Sequence, residues 1–253
     1  MHLSALENGK NFLQTYSKKK NIILDVGALD VNGSLKIYKK KEDIYIGIDM
    51  SSGEGVDIKL EDPYKIPFKN NYFDIIVCTS VFEHCEFFWL LTNEIFRVLK
   101  HDGIFYLNAP SNGPFHRYPQ DYYRFYPDSC HSIKNWAIHS GYKNVIILES
   151  YTSKKNGDYW NDNVSIFLKD KKYIKNYPNR IIKKNKKFFN GFKNSNINEL
   201  INFAELTDDQ TLLGMIYIFF VKLKNFRYAF MYRWIIYALI FIFIVFLINI
   251  LML

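Results

Sequence analysis

Two acidic residues stand about twenty positions apart, Asp25 and Asp49, each closing a short apolar run. Asp25 leads into Val26-Gly27-Ala28-Leu29-Asp30-Val31-Asn32-Gly33-Ser34. Gly27 lets the backbone approach a ligand closely, and Asn32-Gly33 suits a tight turn with positive φ. Asp25 sits where it can accept hydrogen bonds, directly or through water, from a cationic amino-acid group. Asp49 ends Tyr45-Ile46-Gly47-Ile48, and an acid at that position accepts both hydroxyls of a ribose. Either signal alone also fits a plain strand and turn. Together, at this spacing, they point to a nucleoside-bearing ligand.

Further along, Asp62 in DPYKIPF offers a carboxylate to an adenine amino group. Cys78-Thr79-Ser80-Val81-Phe82-Glu83-His84 closes a fourth apolar run, and ligands of open α/β sheets sit at the carboxyl ends of strands. After a fifth run comes Asn112-Gly113-Pro114-Phe115-His116-Arg117-Tyr118-Pro119-Gln120-Asp121-Tyr122-Tyr123-Arg124-Phe125. That segment is expected to arch over the pocket. His84, His116, Asp121 and Arg124 are the candidates for handling an acceptor, since a hydroxyl acceptor benefits from a general base. Asp121 and Arg124 would equally serve as a structural clip.

The elements that must carry these residues follow from periodicity. Residues 21–26 (NIILDV), 44–48 (IYIGI), 56–58, 73–78 (FDIIVC), 104–107 (IFYL), 145–148 and 164–168 read as strands. Residues 3–17, 86–100 and 128–140 read as helices, the second with Phe88, Leu91, Ile95, Val98 and Leu99 on one face. Alternation of the two predicts an α/β fold with a mainly parallel sheet covered on both faces.

The ordered segments DVG, IGID, DPYKIPF, YFDIIVCTSVFEH and IFRVLKHDGIFYLNAP resemble class I S-adenosylmethionine-dependent methyltransferases of the type 11 subgroup, over roughly residues 1–170. The resemblance implies a Rossmann-like seven-stranded sheet whose last strand is antiparallel. It implies S-adenosyl-L-methionine as cofactor, bound by Asp25, Gly27, Gly33, Asp49 and Asp62, with Cys78 and Thr79 beside its methionine end. No metal is expected. The family usually carries GxGxG in the first loop; here Leu29 and Asp30 stand where a second glycine is expected. A nicotinamide-dependent oxidoreductase also uses strand–Gly–acid arrangements, but GxGxxG is missing. A non-catalytic tether that retains the fold is a further alternative.

Residues 171–211 read as a basic linker with amphipathic pieces. Residues 212–233 form a short apolar and basic segment, in which 212–221 is too short to span a bilayer. Residues 234–253 hold no charge and have the length that a helix needs to cross a bilayer core of roughly 30 Å. They are expected to be a transmembrane helix. Lys222, Lys224, Arg227 and Arg233 precede that segment, and the positive-inside rule then places the enzyme on the cytoplasmic side of a single-pass membrane protein. On that expectation the acceptor is a sugar or lipid-linked glycan, with other small molecules or lipids as alternatives. The net charge of +8 comes without a nucleic-acid module motif, so no nucleic-acid partner is expected. The three cysteines, Cys78, Cys85 and Cys130, form no CxxC pair and suit neither a disulfide framework nor a zinc site.

Overall fold

The computed structural model describes residues 2–194, 199–208, 210, 237 and 241–245. Two compact units divide the chain, Met1–Thr207 and Asp208–Leu253.

In the first unit the central strands send apolar side chains to both faces. Along β1 (Ile22–Val26), Leu24 and Val26 join one core cluster and Ile23 the other. Along β4 (Phe73–Thr79), Ile76 and Cys78 face the first cluster, and Ile75 and Val77 the second. A strand buried on both faces needs near-continuous apolar sequence, and so these runs are legible. The first face is covered by α2 (Phe88–Val98) and α3 (Ser129–His139) through Leu91, Ile95, Phe96, Ile133 and Ala137. The second is covered by α1 (Leu3–Tyr16) through Phe12, Leu13 and Tyr16.

With β2 (Ile44–Asp49), β3 (Ile58–Lys59), β5 (Leu99–Pro110), β6 (Ile146–Ser153), β7 (Asp162–Leu168) and β8 (Phe188–Lys193), the sheet order is β3-β2-β1-β4-β5-β7-β6-β8. Pairings from β3 through β5 are parallel; β7 runs antiparallel between β5 and β6, and β8 is antiparallel to β6. The chain winds outward from β1 to β3 and then crosses back to β4. The strand order therefore reverses between β1 and β4, which is where such sheets open a crevice at their carboxyl ends.

Two expectations are corrected. Among the described residues the sheet has eight strands, not seven. The eighth comes from the stretch that reads as linker, where Phe188, Phe189 and Phe192 are buried. Its pairing with β6 slips by one residue between Ser150 and Thr152, beside Asn190 at φ 52°. That slip lets Phe188 face one cluster and Phe192 the other. A short helix, α4 (Ile181–Lys184), buries Ile181 and Ile182. Above them Glu149 Oε1 accepts from the Tyr16 hydroxyl at 2.5 Å and from Ile181 N at 2.8 Å.

The second correction is the transmembrane helix. Among the described residues no helix is long and apolar enough to cross a membrane. In residues 234–253 only Tyr237 and 241–245 are described, as helical; the remainder, and all of 212–221, lie outside the described residues. The membrane attachment and the orientation drawn from that helix are without support. A smaller difference is that α2 ends at Val98 and β5 begins at once with Leu99.

Candidate functional site

At the β1–β4 reversal the backbone turns sharply after Val26. Gly27 has φ 81°, and a Cβ there would lie 2.1 Å from Val81 Cγ2. The loops after β1 and β4 are therefore in direct contact, and glycine's lack of a side chain permits it. Asp25 is buried and its Oδ2 accepts from the Tyr45 hydroxyl at 2.7 Å. Burial, opposed by that hydrogen bond, pushes its carboxyl up to about 6. Gly33 N donates to Asp30 Oδ1 at 2.6 Å, closing the same loop.

Asp49 is half-buried at the end of β2. Its Oδ2 accepts from Leu29 N at 3.2 Å and its Oδ1 from Ser51 N at 2.8 Å. A carboxylate offers about four acceptor positions, so capacity for a ligand's hydroxyls is left. Asp62 is exposed after β3, and its Oδ1 accepts from Tyr64 N at 2.8 Å. The loop that carries it is pinned by α2. Arg97 donates to Ile66 O, Phe68 O and Asn70 Oδ1 at 2.7–3.0 Å, while Glu94 Oε2 accepts from Ile66 N at 2.9 Å. Cys78 packs into the first core cluster, with its thiol held neutral by burial. Next to it, Thr79 Oγ1 and Ser80 Oγ are buried without hydrogen-bond partners. Both hydroxyls are therefore available to hydrogen-bond a bound ligand or water.

The loop after β5 folds across the end of β4. Tyr122 N donates to Glu83 O at 2.7 Å. Asp121 accepts from both Arg124 terminal nitrogens, at 2.5 and 2.7 Å, and from His116 N at 2.8 Å. The guanidinium holds the Asp121 carboxyl down at about 2. Arg124 also donates to Tyr123 O and Pro114 O. This pair clips the loop shut on itself.

Under the clip three side chains converge. Glu83 is 1% exposed and its Oε2 has no partner; burial drives its carboxyl up to about 8. His84 donates through Nδ1 to Gln120 O, and its Nε2 lies 3.8 Å from Glu83 Oε1. Burial lowers the basicity of His84. His116 meets it edge to face, ring centroids 4.8 Å apart, with its Nδ1 3.3 Å from Asp121 Oδ2.

Asp25, Gly27, Gly33, Asp49, Asp62, Cys78 and Thr79 thus all belong to the carboxyl-end edge of the sheet, and His84, His116, Asp121 and Arg124 form one adjoining cluster. One member escapes the sequence reading. Glu83-His84 is legible there as a source of a general base, but the burial of Glu83 and its unpartnered Oε2 are not. Trp160 lies in a loop with no assigned chemistry, yet its ring stands 4.9 Å from His116 and 5.9 Å from the Arg124 guanidinium. No local signal ties residue 160 to residue 116.

A sequence model described as a methyltransferase domain matches residues 24–107. No curated protein matches the chain. Among solved structures, the 1,6-didemethyltoxoflavin-N1-methyltransferase of Burkholderia thailandensis, bound to 1,6-didemethyltoxoflavin and S-adenosylhomocysteine, superposes with a TM-score of 0.53. It is 15% identical, over 66% of this chain and 79% of that one. A methyltransferase of Methanosarcina mazei is 16% identical over 63% of this chain and 97% of its own, with a TM-score of 0.48. One from Archaeoglobus fulgidus is 15% identical over 64% and 93%, with a TM-score of 0.46. At such identities the first of these shows a shared fold.

Proposed function

Taking residues 24–107 as a methyltransferase domain, we propose that the chain transfers a methyl group from S-adenosyl-L-methionine to a hydroxyl of a small polar acceptor. The observation that carries this reading is the pair Asp25 and Asp49 at the ends of the adjoining strands β1 and β2, with the orphaned hydroxyls of Thr79 and Ser80 across the reversal at the end of β4. S-adenosyl-L-methionine supplies a methyl group on a sulfonium, open to in-line displacement.

The chain's own residues bind and orient. Asp49 accepts the ribose hydroxyls, and Asp62 the adenine amino group. Asp25 faces the cationic amino group of the methionine end, and Thr79 lies beside that end. Gly27 and Gly33 keep the first loop low enough for close approach, and Cys78 contributes main chain while its thiol stays in the core. The loop over β4 excludes water and holds the acceptor, so that donor and acceptor are aligned rather than diffusing. Glu83, His84 and His116 ease removal of the acceptor's hydroxyl proton, while Asp121 and Arg124 act as positioning residues for His116. The oxygen lone pair then forms the new O–C bond as the S–C bond breaks, its electron pair returning to sulfur.

A sugar hydroxyl is the acceptor favoured here. Exposed rings of Phe115, Tyr118, Tyr122 and Tyr126 flank the cluster's loop, and aromatic faces next to charged groups suit a sugar ring. A lipid-linked acceptor depends on the membrane helix and shares its lack of support.

Titration calorimetry of the full chain with S-adenosylhomocysteine tests the cofactor half. Asp49→Ala is expected to weaken binding at least tenfold, since hydrogen bonds to charged groups contribute about 1.5–3 kcal/mol. Absence of wild-type binding would remove the reading altogether. A panel of sugars with labelled donor tests the acceptor half. His84→Asn is expected to lower turnover by about 10²-fold or more and to leave S-adenosylhomocysteine affinity intact.

A further inference from the structure

We propose that Glu83, His84 and His116 form a binding site for a divalent transition-metal ion of the zinc class. One ligand atom from each of the three lies within 4.8 Å of the others. Donors held at ~2.1 Å around a tetrahedral zinc stand about 3.4 Å apart. Side-chain rotation of about an ångström closes that gap.

Three features beyond proximity point to a ligand. The first is Glu83, essentially sealed from solvent, whose Oε2 has no hydrogen-bond partner in the protein. A buried carboxylate oxygen without a partner is costly, and a cation at that point satisfies it. The second is the orientation of His84. Its Nδ1 donates to the Gln120 carbonyl. That bond fixes the proton on Nδ1 and turns the Nε2 lone pair toward Glu83, the arrangement that metal-bound histidines adopt with their outer-shell acceptors. The third is His116, whose backbone N–H is tied to Asp121 and whose ring is steadied by Trp160. The two imidazoles meet edge to face, so neither blocks the other's approach to a shared ion.

The donor set selects the ion. Two imidazoles and a carboxylate, with no thiolate among them, suit zinc or a similar borderline ion and leave a fourth position open. Cys85, the nearest cysteine in sequence, engages Tyr64 instead. This inference extends the methyltransfer reading by giving the open position to the acceptor's hydroxyl oxygen. Coordination releases the hydroxyl proton to solvent, and the bound alkoxide supplies the lone pair for the new O–C bond.

The test is zinc binding by the full chain after chelator treatment, with cobalt(II) absorption as a second probe. One zinc per chain is expected. Glu83→Gln, His84→Asn and His116→Asn are each expected to lower zinc affinity at least about 100-fold, beyond the ~10–100-fold that loss of an outer-shell partner costs. His139→Gln, on the exposed end of α3, should bind as wild type. Circular dichroism and S-adenosylhomocysteine affinity report whether each variant is folded. No zinc above buffer controls, or zinc binding untouched in the folded variants, overturns the proposal. Zinc binding without S-adenosylhomocysteine binding would keep the metal site and sink the methyltransfer reading. The reverse result, with turnover insensitive to chelator, would sink the metal site alone.

Discussion

Asp25 places a stability cost and a binding function on one carboxylate, and the substitution Asp25→Asn separates them. The side chain is buried, and the Tyr45 hydroxyl, with a smaller contribution from the Lys36 charge, opposes the desolvation that pushes its carboxyl from 3.8 to about 6. A shift of about two units corresponds to ~3 kcal/mol, at 1.36 kcal/mol per unit. The sign follows from proton linkage. The native state holds the proton more tightly than the unfolded state, so the extra stability is fully present below pH 4. It is lost as pH rises through 6. Asparagine keeps the acceptor for Tyr45 and cannot ionise. Urea unfolding of both proteins at pH 4.5 and pH 7.5 isolates the effect, because other titrating groups are common to the two. With a slope of ~2–3 kcal/mol per molar urea, the wild-type midpoint should fall by ~1 M relative to the variant between those pH values. Cofactor affinity should move oppositely: Asp25→Asn loses binding at pH 7.5, where the wild-type carboxylate is ionised. A midpoint difference that is flat with pH would refute the burial argument. Unchanged S-adenosylhomocysteine affinity would remove Asp25 from the site.

Arg97→Ala breaks the Glu94 pair and frees three acceptors in the 66–70 segment. Faster amide exchange over residues 62–70 is expected, with cofactor affinity lowered about tenfold, a loss of ~1.4 kcal/mol. Tyr16→Phe removes the hydroxyl that Glu149 accepts from at 2.5 Å inside the second core. A stability loss of ~1–3 kcal/mol is expected in denaturant titration, because the buried carboxylate keeps only its backbone donors. Gly113→Ala puts a Cβ 2.3 Å from the Trp160 ring at a backbone φ of 106°. Strain of ~1–3 kcal/mol should displace the loop over β4, so turnover is expected to fall in steady-state assays while S-adenosylhomocysteine affinity holds.

The central strands, the helices between them and the acids at the strand ends were all legible from local sequence. Strands β1, β2 and β4 are sealed on both faces or nearly so, and this forces continuous apolar runs. The acids must follow those runs directly, because the crevice lies at the strand ends. Phe188, Phe189 and Phe192 are different, sitting among lysines in a segment whose average character is polar. Their burial depends on docking against β6, with a slip at Asn190 that turns alternate rings to opposite faces, and no local period records it. The length and apolarity of residues 234–253 suggest a spanning helix, but among the described residues no helix is long and apolar enough to cross a membrane. Glu83 and His84 are chain neighbours, yet His116 and Trp160 reach them only because the loop after β5 is folded back by the Asp121–Arg124 clip. Sequence spacing fixed which strand end each residue occupies. Side-chain convergence across separate loops is a long-range property, set by the packing of the whole sheet edge, and only the tertiary structure decided it.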